Sequence, residues 1–227
     1  MRYLRRFDAP YASMVHDFAV TQGHVIMPVM PLTASRARAK AGLPFYAWEP
    51  ERGGFIGVMR RDHEDPVTWW RGPEGFIFHV ANSWEDDHCI HIDVMQFDAP
   101  PGFPRPDGSP IEEAGHARLC RWTLDRRDPA QRVQVHRISD VMGEFPRIDD
   151  RLIGMPYRHC WVAAHGADES EIFSRISHVD HMQPDQADSY VLPVGERGTK
   201  TGSDVASPTG RRWVDSRGCG TWRTQVE

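Results

Sequence analysis

An all-β fold is what this chain predicts, and three observations carry that prediction. Short apolar runs recur along it, and several alternate with period two, as half-buried antiparallel strands do. Eighteen prolines and nineteen glycines punctuate those runs with turn signals. Only one segment, Ala34 to Ala41, has helical character: it is basic, Ala-rich and ended by Gly42 and Pro44.

The strands follow in order. Val25-Ile26-Met27 runs into Pro28-Val29-Met30-Pro31, a strand closed by prolines. Phe55 to Met59 follows the turn signal Glu51-Arg52-Gly53-Gly54. Phe76 to Val80 and Ile90 to Val94 flank Asn82 to His88, which reads as an acidic hairpin connection. Ala117 to Leu124 and Arg132 to Ile138 show the clearest alternation. Trp161 to Ala164 and Ile172 to Ile176 continue the pattern. Periodicity leaves sandwich, barrel and propeller open, and no crisp internal repeat chooses among them.

Bulk composition excludes several classes. The 227 residues carry a formal net charge of -5, with 40% hydrophobic and 26% charged residues. Arginine is spread along a slightly acidic chain, so no nucleic-acid footprint is present. No apolar run reaches the ~18 residues of a spanning helix, and no signal-peptide core is visible near the start. Cys89, Cys120, Cys160 and Cys219 show no C-x-x-C pairing. They indicate neither a zinc ribbon nor a disulfide scaffold, so a reducing, cytoplasmic setting is expected.

One segment stands out chemically. His16 lies within the apolar run Met14-Val15-His16-Asp17-Phe18, where a largely buried strand is expected. A buried imidazole needs a hydrogen bond or a metal, and the residues alone leave both open. Further words follow it: Phe45-Tyr46-Ala47-Trp48-Glu49-Pro50, Ile56-Gly57-Val58-Met59-Arg60-Arg61, and Phe78-His79-Val80-Ala81-Asn82-Ser83-Trp84-Glu85. Gly143-Glu144-Phe145-Pro146-Arg147-Ile148-Asp149 and Gly154-Met155-Pro156-Tyr157-Arg158 complete the set. In order and approximate spacing, from about Arg5 to Tyr190, these segments resemble the carotenoid cleavage oxygenase family. Their wording is most similar to bacterial lignostilbene dioxygenases.

The resemblance implies a seven-bladed β-propeller with Fe(II) on its axis, held by four histidines. At about 40–50 residues per blade, the chain would supply about four blades, a partial propeller. His16 matches one of the iron histidines, and its ring is expected to point inward. Glu144 matches a carboxylate that accepts the outward N–H of an iron-binding histidine. The implied reaction is O2-dependent cleavage of an alkene double bond in a phenolic stilbene, giving two aldehydes. An apocarotenoid substrate and a vestigial, non-catalytic β-rich interaction protein are the alternatives.

The remaining histidines carry less. His88 and His91, and likewise His178 and His181, are three residues apart and point to opposite strand faces, so neither pair is expected to converge. His79 matches no iron ligand and reads as a hydrogen-bonded structural histidine. Two iron histidines are expected upstream of His16 and a fourth near the family's C-terminus, so the match is partial. One ligand of four implies that the chain is inactive alone and that a complementary fragment is missing. The propeller part is expected over 1–190. From 191 to 227 a Gly/Arg/Ser/Thr-biased, disordered tail is expected, resembling translation in a shifted frame.

Overall fold

The computed structural model describes residues 6–193 except 64, 113, 129, 167–172 and 185, plus the backbone of 196–198, 205–206, 212–213 and 224–226. The chain is nearly all β. In order, the strands are β1 (Ala19–Val20), β2 (His24–Val29), β3 (Leu32–Ala34), β4 (Tyr46–Trp48), β5 (Phe55–Arg60), β6 (Thr68–Arg71) and β7 (Phe76–Glu85). They continue as β8 (Cys89–Phe97), β9 (Arg118–Asp125), β10 (Gln134–Arg147), β11 (His159–Ala164), β12 (Arg175–Asp180) and β13 (Asp188–Val191). One short helix, α1 (Arg36–Lys40), falls where the Ala-rich segment predicts it. The Ser35 hydroxyl caps it by accepting the Arg38 amide.

The strands form radial blades. β1-β2-β5-β6 is the first antiparallel sheet, with β1 at its edge. The second sheet runs β13-β12-β11-β10-β9-β8-β7. It is two blades joined by one long strand. Residues 134–137 of β10 pair with β9 at the outer edge of the second blade, whereas 143–147 pair with β11 as the inner strand of the third. The described residues thus account for three of the about four blades expected.

Period two explains how the blades stack. Ile90, Ile92 and Val94 of β8, with Cys120, Trp122 and Leu124 of β9, pack in one core with Ile26, Ile56 and Val58 of the first blade. Met95, Phe97, Ala117 and Leu119 turn the other way, into a core with Cys160, Val162 and Val179 of the third blade. The second blade therefore buries both faces, and each large apolar side chain buried this way contributes about 1.5–3 kcal/mol.

Three expectations change. The stretch Asn82 to Glu85 is strand, so the hairpin turn shrinks to Asp86, Asp87 and His88. β10 runs well past Ile138, through Gly143 and Glu144. The strand expected from Ile172 forms from Arg175 instead. Of the tail expected to be disordered from 191 onward, the described backbone of 196–198 pairs antiparallel with 224–226, and that of 205–206 with 212–213; apart from 191–193, the rest of the tail lies outside the described residues.

Candidate metal centre

The inner strands of the three blades, β1, β7 and β10, meet at one place. Side chains from all three hold them together. Asp17, just ahead of β1, accepts the Val80 amide of β7 at 2.9 Å. Ser83 of β7 donates to the Val20 carbonyl of β1 at 2.9 Å. Asn82 donates to the carbonyls of Leu152 and Met155 at 3.0 and 2.9 Å and accepts the Gly154 amide at 3.0 Å, tying β7 to the turn after β10. At the far end of β7, Glu85 accepts the Gly23 amide at 2.6 Å and the Thr21 hydroxyl at 3.0 Å, and pairs with His24 Nδ1 at 2.6 Å.

Glu144 sits at this meeting point, 5% exposed. Its Oε2 accepts His79 Nδ1–H at 2.6 Å and the Phe145 amide at 2.6 Å. A register shift between Glu144 and Arg147 and a left-handed Phe145 (φ 55°) aim this carboxylate at β7. Strained backbone of this kind clusters at functional sites. Gly143 lets the strands close here, because a Cβ on it would lie 2.5 Å from the Ala163 carbonyl oxygen.

His79, set aside by the motif reading, is thus the histidine that Glu144 orients. Its ring centroid lies 5.1 Å from that of His16, at 86°. Phe78 flanks His16 at 5.2 Å and Phe145 flanks His79 at 5.0 Å, with Phe173 a further 5.2 Å beyond Phe145. Two imidazoles ligating one ion at about 2 Å set their centroids roughly 4.5–5.5 Å apart, and the observed spacing falls in that range.

His16 itself departs from expectation. It lies on an irregular segment ahead of β1, not on a buried strand, and the residue is exposed. The physical reason is that β1 is the edge of its sheet: Phe78 and His79 cover one side of the ring, and no ladder covers the other. Beside it, Asp17, Phe18, Asn82, Ile148 and Ile153 line an open cavity of about 300 Å³.

The residues fit a divalent cation. Donation of Nδ1–H to Glu144 leaves Nε2 of His79 with a free lone pair, the tautomer a metal requires. Oε1 of Glu144 is buried without a hydrogen-bond partner. Such a carboxylate gains from a positive charge beyond the imidazole it holds.

The family model described as retinal pigment epithelial membrane protein (RPE65) matches residues 2–210. The chain belongs to this RPE65/carotenoid oxygenase family. Within it, the chain is 38% identical over 162 residues to isoeugenol monooxygenase of Pseudomonas putida, covering 69% of this chain and 33% of that protein. It is 32% identical over 193 residues to lignostilbene-α,β-dioxygenase isozyme III of Sphingomonas paucimobilis, covering 77% and 39%. The crystal structure of Pseudomonas brassicacearum lignostilbene dioxygenase superposes with a TM-score of 0.78 at 29% identity, over 91% of this chain and 46% of that one. The chain therefore spans about a third to two fifths of the length of these curated relatives.

The other histidines sort as their spacing predicts. His88 and His91 do not converge: His91 faces Asp86 and Thr123. His178 bonds to His159 at 3.0 Å, whereas His181 accepts from Arg121 at 3.2 Å. Of the aromatics, Phe76 and Trp84 are core, and Phe18 is 51% exposed beside the cavity. No helix among the described residues is long and apolar enough to cross a membrane.

Proposed function

We propose that His16 and His79 are two of the histidines of a non-haem Fe(II) centre, with Glu144 as the carboxylate that orients His79. The observation that carries this reading is the pairing of two near-orthogonal imidazoles, one locked by a buried carboxylate, where three inner strands meet. The protein this chain represents acts, on this reading, as an oxygenase that cleaves the alkene of a phenolic stilbene, adding both atoms of O2 to give two aldehydes. Similarity to two lignostilbene dioxygenases supports the substrate class.

Bound Fe(II) would supply open coordination positions at which O2 is activated beside the alkene. The chain's own residues do the rest. Glu144 holds the Nδ1 proton of His79 and so keeps the ligating nitrogen free of one. Asp17 holds His16 in place by fixing the backbone between the two rings. Phe78 and Phe145 flank the two imidazoles with apolar rings, which offer faces to a planar aromatic substrate.

Among the described residues only two imidazoles meet at this site, so further ligands come from elsewhere in the complete centre, such as a complementary fragment. That count also favours a second reading, a β-rich protein without catalysis. Anaerobic Fe(II) titration of the purified chain, followed by addition of O2 and a hydroxystilbene, separates the two. Binding lost in both His16→Ala and His79→Ala supports the iron reading. Absence of binding supports the second, and binding indifferent to both substitutions overturns the proposed ligands.

A further inference from the structure

A second set of metal-competent donors lies at the tip of the β7–β8 hairpin, roughly 15–20 Å along β7 from His79 at strand rise. Asp86, Cys89 and His91 each present one donor atom, a carboxylate oxygen, a sulfur and a ring nitrogen, all within 4.8 Å of one another. Cys89 and His91 are two residues apart on β8, which puts both on one face of the strand. Asp86 opens the turn, and its Oδ1 accepts the amides of His88 and Cys89 at 2.8 Å each. That turn folds the chain back and leaves Oδ2 3.2 Å from Nε2 of His91.

The His91 ring is held from two further sides. Nδ1 lies 3.2 Å from the Thr123 hydroxyl of β9, and the ring stacks on Trp84 at 5.2 Å and 27°. The Arg121 guanidinium in turn covers Trp84 at 4.5 Å. A partner on one ring nitrogen, with the other nitrogen turned toward further donors, is the arrangement that supports metal-bound histidines.

We propose that Asp86, Cys89 and His91 form a site for a divalent ion of zinc type, separate from the candidate iron centre. A thiolate, an imidazole and a carboxylate together suit Zn²⁺ and disfavour Mg²⁺ or Ca²⁺, which take oxygen donors. Three protein donors leave the fourth tetrahedral position for water. Amides of His88 and Cys89 fix the Asp86 carboxylate in the turn. The metal takes cysteine as thiolate, so ion binding releases the Cys89 proton to solvent and weakens as pH falls. The bound ion would clamp the turn to β8 at the outer end of the strand that carries His79.

Co²⁺ serves as the probe, in a His16→Ala/His79→Ala background that silences the candidate iron site. One equivalent should bind, with a near-ultraviolet sulfur-to-cobalt band that Zn²⁺ abolishes by displacement. Cys89→Ser should remove the band. Thr123→Val should weaken binding about 10–100-fold, as loss of a ring-orienting partner does. Asp86→Asn retains the turn-forming oxygen, leaves the thiol in place and should also weaken binding, which covers the case in which Cys89→Ser fails to fold. A band that survives Cys89→Ser, or a folded background variant that takes up no Co²⁺ or Zn²⁺, overturns the proposal. Neither result bears on iron at His16 and His79.

Discussion

The carboxylate of Asp17 accepts the amide of Val80 at 2.9 Å, which joins the residue after His16 to the residue after His79. This bond spans two blades and ties together the backbone beside the two imidazoles. Asp17→Ala should leave the Val80 amide without its partner and cost about 1–3 kcal/mol. Urea unfolding reads the loss. Fe(II) binding should weaken in the same variant, and Asp17→Asn, which retains an acceptor oxygen, should recover part of both.

Glu144 acts through His79. Glu144→Ala should lower Fe(II) affinity about 10–100-fold, the usual consequence of removing a ligand-orienting carboxylate. Anaerobic titration measures it. An affinity unchanged in a folded variant would mean that His79 needs no such partner.

Gly143→Ala tests the close approach of β10 and β11. The new methyl would lie 2.5 Å from the Ala163 oxygen and 3.0 Å from Ala164 Cα, both backbone atoms. Overpacking of this kind costs about 1–3 kcal/mol. The strand must shift, so iron affinity should fall with stability, measured by titration and thermal melting of one preparation.

Asp93 is fully buried and accepts Arg121 Nε–H and Nη2–H, at 2.8 and 2.9 Å, and the Tyr157 hydroxyl at 2.7 Å. This cluster links the second blade to the third. Arg121→Met strands a buried carboxylate and should cost about 3–5 kcal/mol. Adding Asp93→Asn should restore a large part of that loss in chemical denaturation.

Acid should loosen the third blade. Burial, then the nearby His159 charge, lowers the pKa of His178 below 6.5, and burial does the same for His181 despite Asp93. The unfolded chain therefore takes up protons first as pH falls below about 6.5. Stability from both groups is complete above that pH and declines beneath it. Melting temperatures between pH 7.5 and 5.5 should fall, and His181→Asn should flatten the slope.

Legibility in the sequence followed physical range. β8 and β9 were visible because alternation along a strand is a local pattern, β5 because a turn signal directly precedes its apolar run, and α1 because its Ala-rich run ends at an adjacent glycine and proline. β10 was half hidden, since Gly143, Pro146 and the shift at Glu144 break alternation where the strand changes blades. At the site, the resemblance marked Glu144 but not its partner. His79 lies 65 residues away, and only the meeting of two inner strands brings the pair together. An apolar neighbourhood suggested burial for His16, yet apolar neighbours do not supply a covering strand.

β10 also determines how this protein can be dissected. Because one unbroken strand closes the second blade and opens the third, cutting within 138–142 leaves each product with an unfinished sheet. Residues 72–75, between β6 and β7, carry no such shared ladder. A chain divided there would part the first blade, bridged to the second at Arg71 and Arg132, from an indivisible pair, which makes the loop the natural seam for reassembly from two pieces.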